Sequence, residues 1–450
     1  MDDVSRKPRT ATDKSSREPV YLASQLASIC DVDLKTIHNW CDRNDDPDGP
    51  AALESFRTPG GHLRFRHAAV LRFLSRWGYP IPDALLVDRP HVLLVEPDAY
   101  TRRMLATTLD LVRPGEEPAD GGGARAELSD DPSATLGLWS TPRYYLHVLD
   151  DPYCALITLG ERLGAGSPPD LVVLGLALPG LDESTFIRVA NDNADDGLRF
   201  VLLTSDDAPA SASAAGVVGV VPRSKLTALG ALLDAQCALV AAARASARGG
   251  GRARRRRVPI APREPIYVAS QVASIWDVDL KTVHTWVERG DIEAFRTPGR
   301  HLRFRRRSLL HFLRRYNMAI PSDLTPERPV VMLANLPAPA VERLRAALAE
   351  RFDLVVIDDV VGALVEAGLR SSGASLVDAV VVALPAAGVD DAAWVSALQQ
   401  HQDTRYTRLV VVGGSDDQQR RWQSLGATST LHPDSLDLVS VVLEKSLGVG

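Results

Sequence analysis

One stretch of this chain is written twice, and the distance between the copies fixes the architecture around them. YLASQLASICDVDLKTIHNWCDR, from Tyr21, returns as YVASQVASIWDVDLKTVHTWVER, from Tyr267. FRTPGGHLRFR, from Phe56, returns as FRTPGRHLRFR, from Phe295, with Gly61 replaced by Arg300. Between the blocks the first copy carries seven extra residues within NDDPDGPAALES, where the second has GDIEA. Strand-like and helix-like segments alternate after each copy, from Pro90 and from Pro329. A long period used only twice argues against a solenoid. It predicts a small module followed by an α/β domain, the pair duplicated in tandem.

The expected boundaries follow the changes in composition. Residues 1–18 form a polar, disordered tail. The small modules cover 19–80 and 265–320, and the α/β domains cover 90–243 and 329–450. A Gly/Asp/Glu/Pro-rich insertion is expected near 112–142. Three glycines and a run of arginines make 244–264 a flexible basic linker. The first residues lack an apolar core and do not resemble a secretory signal. No apolar stretch reads as long enough for a membrane span, which needs about 18 residues. Cys30, Cys41, Cys154 and Cys237 are scattered, which fits a reducing, cytoplasmic compartment.

The net charge of −6 conceals an asymmetry. Residues 91–243 sum to about −11 and 329–450 to about −6, whereas 244–262 sum to about +7 and 263–316 to about +5. A basic centre between acidic blocks suits a polyanionic partner. The first module, over 19–80, is close to neutral.

Within the first module, Ser24 is expected to cap a short helix whose Leu26, Ile29 and Cys30 face inward. Asp33 is placed to cap a second helix, with Leu34, Ile37 and Cys41 as its buried stripe and Trp40 beside it. Lys35, His38, Asn39 and Asp42 are left on the polar face. Two short helices joined by a tight turn are the helix-turn-helix plan, and a major groove admits such a second helix. Phe56-Arg57 and His62–Arg66 flank a Pro-Gly turn, so alternation puts Leu63 and Phe65 on one face and His62, Arg64 and Arg66 on the other. Val70, Phe73, Leu74 and Trp77 close the core at helical spacing. Trp40 and Trp286 are read as core residues. Cys30 and Cys41 become Trp276 and Val287 in the second copy, so they mark packing positions and no metal site is expected.

These residues resemble the MerR/excisionase-like winged helix-turn-helix family, over 20–77 and again over 266–316. The resemblance implies double-stranded DNA as partner. Its helix contacts would be Lys35, Thr36, His38 and Asn39, with Lys281, Thr282, His284 and Thr285 in the second copy. Its wing contacts would be Arg57, His62, Arg64 and Arg66, with Arg296, Arg300, His301, Arg303 and Arg305. Arg300, Arg306 and Arg307 stand where the first copy has Gly61, His67 and Ala68, so the second module is expected to grip phosphate more strongly. The family's regulators often add a long dimerising helix, and no such pattern follows either module.

The α/β segments read as five short apolar strands each, alternating with helices into parallel sheets. LLVEPDAYTRRML, DLVVLGLALPGLDE and FVLLTSDD resemble the receiver domain of response regulators, a flavodoxin-like fold. That family places a phosphoacceptor Asp at the end of strand three, beside an acidic pair that holds Mg²⁺, with a Ser/Thr and a Lys completing the site. Here Gly175 holds the phosphoacceptor position, Glu96-Pro97 the acidic pair, Thr204 the Ser/Thr and Arg223 the Lys. In the second domain Ala383 holds the phosphoacceptor position, with Ala334-Asn335, Gly413 and His432 at the others. Without the carboxylate there is no phosphoryl nucleophile, and Asp98 and Asp182 read as surface turn residues.

The fold class is therefore multidomain: two winged helix-turn-helix modules and two flavodoxin-like, receiver-like domains of five parallel strands. The expected function is sequence-specific DNA binding in transcription regulation, in a cytoplasmic, nucleoid-associated protein that is not an enzyme and uses no cofactor. The receiver-like domains would make protein–protein contacts, in a homodimer or with another partner, through their last helices and strands, as receivers commonly do. The competing readings are an excisionase-like DNA-bending factor and a signalling scaffold.

Overall fold

The computed structural model describes residues 19–30, 32–41, 52–76, 81–82, 85–86, 89–114, 132–194, 197–205, 215–249, 265–296, 301–316, 318, 320–321, 324, 328–371 and 376–448. The expected tail, most of the expected linker, Asp42, Trp77 and Arg300 lie outside the described residues. The chain divides into two compact units: Met1–Leu86 with Pro114–Glu116, and Val87–Arg113 with Glu117–Gly450.

In the first unit β1 (Val20–Leu22) leads into α1 (Ala23–Cys30) and α2 (Leu34–Cys41); β2 (Phe56–Arg57), β3 (Leu63–Arg66) and α3 (His67–Arg76) follow. The strands form an antiparallel sheet of order β1-β3-β2. Leu26, Ile37, Trp40, Phe65, Val70, Phe73 and Leu74 are buried, so the two helical stripes and the inward face of β3 share a core. Two details differ from the sequence reading. Ser24 lies exposed inside α1, and the Gln25 side chain instead accepts from the Leu22 N–H at 2.9 Å. Leu34 is also exposed, because the buried stripe of α2 runs through Thr36, Ile37 and Trp40.

The second unit begins with β4 (His91–Val95), α4 (Ala99–Thr108), β5 (Gly137–Ser140), β6 (Tyr145–Leu149) and α5 (Pro152–Gly164). It continues with β7 (Leu171–Gly175), α6 (Glu183–Asp192), β8 (Phe200–Thr204), β9 (Val217–Pro222) and α7 (Leu226–Gly249). The sheet order is β5-β6-β4-β7-β8-β9. Without β5 this is the 2-1-3-4-5 order of the flavodoxin-like fold. The sheet has six strands where five were expected, because part of the predicted insertion forms β5, an antiparallel edge strand on β6. Trp139 explains its position, burying its indole while Nε1 donates to the Thr135 carbonyl at 2.8 Å.

Helix α7 also corrects the sequence reading, since it runs through Arg244 to Gly249, into the stretch assigned to the linker. Arg223–Ala243 is long and apolar enough, by length and composition, to cross a membrane. Its Leu226, Leu229, Leu233 and Cys237 recur every three or four residues and pack into the domain core, as the inner face of a globular domain's surface helix does.

A small segment follows: β10 (Ile266–Val268), α8 (Ala269–Ile275), α9 (Leu280–Glu288), β11 (Phe295–Arg296), β12 (Leu302–Arg305) and α10 (Arg306–Arg315). Its antiparallel sheet has the order β10-β12-β11. Next come β13 (Val330–Ala334), α11 (Ala338–Leu348), β14 (Asp353–Ile357), α12 (Val360–Ser371), β15 (Val377–Ala383) and α13 (Asp391–Gln400). The last elements are β16 (Arg408–Val412), α14 (Asp416–Ser424), β17 (Ser429–Leu431) and α15 (Leu438–Leu447). The five parallel strands again run 2-1-3-4-5, as β14-β13-β15-β16-β17.

The two large sheets are joined by their helices. α5 and α12, each following the second strand of its domain, cross backbone on backbone. A Cβ on Gly160 would lie 2.0 Å from the Val365 carbonyl oxygen, and one on Gly368 would lie 1.9 Å from that of Ile157. Beside the crossing, Leu181 and Val389 form an isolated antiparallel bridge, and the Asp390 N–H donates to the Gly180 carbonyl at 3.0 Å. A continuous apolar core runs from Phe186 and Leu202 of one domain to Leu364, Trp394 and Leu398 of the other. Within the chain the two domains thus pair through their second and third helices.

A glycine in a helix interior normally gains about 0.5–1 kcal/mol when replaced by Ala. Here Gly160→Ala and Gly368→Ala should each lose about 1–3 kcal/mol by overpacking. Urea unfolding of the full chain measures this, and a gain in stability would show that the helices can separate at no cost.

Candidate nucleic-acid interface

The described parts of both small segments present a short capped helix followed by cationic strands. In the second unit the Asp279 carboxylate caps α9 by accepting from the Thr282 N–H at 2.7 Å. That bond to Thr282 holds the Asp279 carboxyl below its ordinary range. In the first unit Asp33 accepts from the Thr36 N–H at 2.6 Å. The Asp33 cap falls where the sequence placed it, and Asp279 repeats it at the matching position, because the bond spans only three residues.

The caps set which side chains face outward. On α9 Val283 is buried, Lys281 is exposed, and Thr282, His284 and Thr285 are half-buried. Thr285 turns its hydroxyl back to the Lys281 carbonyl at 3.0 Å. On α2 Lys35, His38 and Asn39 are exposed. Thr36 departs from the expected polar face: it is 7% exposed and packs with Ile37 and Trp40. Trp40 stacks on Phe73 with centroids 5.1 Å apart, while Trp286 lies between Trp276 and Phe312 at 5.5 and 4.9 Å. Trp40 is a buried core residue, Trp286 and Trp276 are half-buried and pack against the core, and Cys30, the counterpart of Trp276, is buried.

The first hairpin turn is built by Thr58, whose carbonyl accepts from Gly61 at 2.8 Å; Gly61 itself has φ +78°. Arg57 reaches across to the Gly61 carbonyl at 2.8 Å, and the Arg66 guanidinium lies 5.7 Å from the Phe56 ring centroid. His62 and Arg66 are exposed, and Arg64 is half-buried. In the second hairpin Arg296 and His301 are exposed and Arg303 is half-buried.

Arg305 takes a different role. Its guanidinium donates to the Asp403 carboxylate at 3.0 Å, in the loop after α13, and Arg307 donates to the same carboxylate and to the Asp403 carbonyl. Arg307 is only 8% exposed, so this guanidinium is not available to the phosphate grip expected of it. Glu293 adds ion pairing with Arg405 and a hydrogen bond from Tyr406. No local signal reveals this docking, since the partners lie about a hundred residues apart in sequence.

Beside Gly175, the position matched in the sequence to a receiver's phosphoacceptor, lies an ion pair. Glu96 is fully buried at the end of β4, and Arg223 grips both of its oxygens at 3.1 and 3.0 Å. Arg223 also donates to the Leu176 carbonyl at 2.9 Å, and Glu96 accepts from the Asp98 N–H at 3.0 Å. Gly175 makes room for this pair, because a Cβ there would stand 2.6 Å from a Glu96 oxygen and 3.0 Å from an Arg223 nitrogen. Asp98 and Asp182 are helix caps on Thr101 and Thr185, as their turn positions suggested. In the second domain Asn335 donates to the Ala383 carbonyl at 2.8 Å, across the corresponding place. Neither arrangement offers a carboxylate at the phosphoacceptor position.

Residues 267–317 match a family model described as a helix-turn-helix domain. No curated protein matches the chain. Among solved structures it is similar to the Mn²⁺-bound form of response regulator Rcp1, at 15% identity over 27% of this chain and 96% of that one, with a TM-score of 0.24. It is also similar to the N-terminal domain of a response regulator/sensory box/GGDEF 3-domain protein from Carboxydothermus hydrogenoformans, at 18% identity over 34% and 98% of the two chains, with a TM-score of 0.23. A putative two-component system response regulator/GGDEF domain protein aligns at 15% identity over 79% and 98%, with a TM-score of 0.22. The assignment of the two α/β domains rests on strand order, not on these low scores.

Two outcomes test the arrangement at Gly175. Acetyl phosphate with Mg²⁺ should leave the intact mass unchanged, and Gly175→Asp should not restore phosphorylation, because the new side chain meets Glu96. Arg223→Met should cost about 3–5 kcal/mol by stranding the Glu96 charge, and adding Glu96→Gln should recover much of it. Denaturant unfolding of single and double variants measures the difference; equal losses would mean the pair does not act as a unit.

Proposed function

We propose that this protein is a sequence-specific DNA-binding regulator, probing duplex DNA with two MerR/excisionase-like winged modules carried on a phosphorylation-incompetent, receiver-like pair. The observation that carries this reading is α9. It lies inside the residues matched as a helix-turn-helix domain, is capped by Asp279, and leaves Lys281 exposed while Val283 anchors its other face. A short helix of that kind fits a major groove, where Lys281, His284 and Thr285 would meet base edges. Arg296, His301 and Arg303 supply cations for phosphate or the minor groove. Lys35, His38 and Asn39 with Arg57, His62, Arg64 and Arg66 are the first module's counterparts, and Thr36 acts there through packing.

Single-module regulators need a second subunit to engage two half-sites. Here one chain holds both modules, which raises the effective concentration of the second once the first is bound. The fused α/β pair takes the place of the dimerising helix that neither module carries. On this reading the protein works in the cytoplasm on the nucleoid and catalyses nothing. The charge advantage of the second module is smaller than its sequence suggests, because Arg305 and Arg307 are already engaged with Asp403.

Substitutions in the full chain separate recognition from grip. Lys281→Ala or His284→Ala should cost about 1–3 kcal/mol on the preferred site with little loss on random duplex. Arg303→Ala should weaken both alike and flatten the log–log salt dependence by about 0.9. Competition between a selected site and random DNA reads both effects. Full discrimination in both helix variants would remove α9 from the reading surface.

A further inference from the structure

One residue past the α5–α12 crossing, Glu161 meets the loop that holds the helix-turn-helix segment. Ligand atoms of Glu161, His401 and Asp403 all lie within 4.8 Å of one another. The groups around them come from every adjoining element. Arg305 on β12 and Arg307 on α10 both donate to the Asp403 carboxylate. His401 Nδ1 is 3.5 Å from Glu161, and its Nε2 is 3.3 Å from the Thr158 hydroxyl of α5. Ser371 of α12 lies 3.5 Å from Glu161, and Arg306, Asp378 and Tyr406 line the adjoining cavity of about 30 Å³. That cavity has room for water but not for a larger ligand. Two guanidiniums on Asp403 disfavour a metal cation at the same place.

Two carboxyl groups this close and this buried do not readily share two negative charges. The arginines fix the charge on Asp403, so the proton resides on Glu161. Burial and the neighbouring Asp403 charge push the Glu161 carboxyl well above its ordinary value. Burial opposes ionisation of Asp403 too, but Arg307, the Glu161 hydrogen bond and Arg305 outweigh it and hold that carboxyl at about 2. Burial lowers the His401 value, against the raising effect of the Asp403 charge.

We propose that Glu161, Asp403 and Arg307 form a proton-dependent latch: with Glu161 protonated, the second helix-turn-helix segment is held against the α/β pair, and loss of that proton releases it. The direction follows from linkage. A raised carboxyl stabilises the closed seam fully below its ordinary value, and that contribution is lost as pH rises through its folded value. Asp403 acts oppositely, contributing above its ordinary value and failing as pH falls through about 2. The latch itself does not depend on the protein's ligand; its consequence, a pH-dependent DNA affinity, rests on the DNA-binding reading.

The test is hydrogen-exchange protection of β12, α10 and the 401–407 loop in the full chain, from about pH 5 to about pH 10. Wild-type protection factors should fall by up to about tenfold per pH unit between the ordinary carboxyl value and the raised Glu161 value, and level off above it. Glu161→Gln, which cannot ionise, should stay flat. Arg307→Lys, which keeps the charge but loses the two-point grip, should lower protection at every pH. Parallel profiles for wild type and Glu161→Gln, or wild-type protection in Arg307→Lys, would overturn the latch. If the profiles diverge as expected while neither protein binds DNA at any pH, the latch stands and the DNA-binding reading fails.

Discussion

Helices α5 and α12 approach so closely that neither Gly160 nor Gly368 has space for a single methyl group. Helices meeting through larger side chains would stand farther apart, and the hydrogen bond from Asp390 to Gly180 would open. The apolar surface around Phe186, Leu364 and Trp394 would lose its close packing, which stabilises in proportion to area removed from water. The same crossing brings Glu161 to the loop that carries Asp403. Pairing of the α/β domains and capture of the helix-turn-helix segment therefore depend on one backbone contact.

A buried and a half-buried glutamate lie in this framework, and the protein handles their charges differently. Glu96 meets the bidentate guanidinium of Arg223, and Gly175 leaves the space that this pair fills. The pair is satisfied, so it stabilises a fixed arrangement and offers no vacant nucleophile. Glu161 has His401 as its nearest ion-pair partner, at 3.5 Å, while Arg305 and Arg307 donate to Asp403. Its neutrality is kept by a proton, which solvent conditions can remove. One glutamate is a fixed strut and the other a titratable joint.

Asymmetry between the small segments has a similar origin. Ala68 stands in the first copy where Arg307 stands in the second, so the repeat itself carries only one copy of the anchoring guanidinium. Thr36 and Thr282 share a motif, yet Thr36 is buried and Thr282 half-buried. The aromatic cluster differs too, with Trp276 widening the second core where Cys30 fits the first. Identical local signals thus sit on differently packed cores, and similar modules acquire different surroundings.

What the sequence determined by itself is local. Asp33 and Asp279 cap their helices because a cap needs only the N–H three residues on. The buried strands were legible as apolar runs, and the parallel sheets as their alternation with helices. What only the tertiary structure decided involves partners far apart in the chain. It made a strand of Gly137–Ser140, turned Thr36 inward, continued α7 to Gly249 and bound Arg305 and Arg307 to Asp403. It also chose the second and third helices as the pairing surface. Periodicity states which face of a helix is apolar, but which distant face will cover it depends on shape, and here on two glycines whose absent side chains leave no pattern to read.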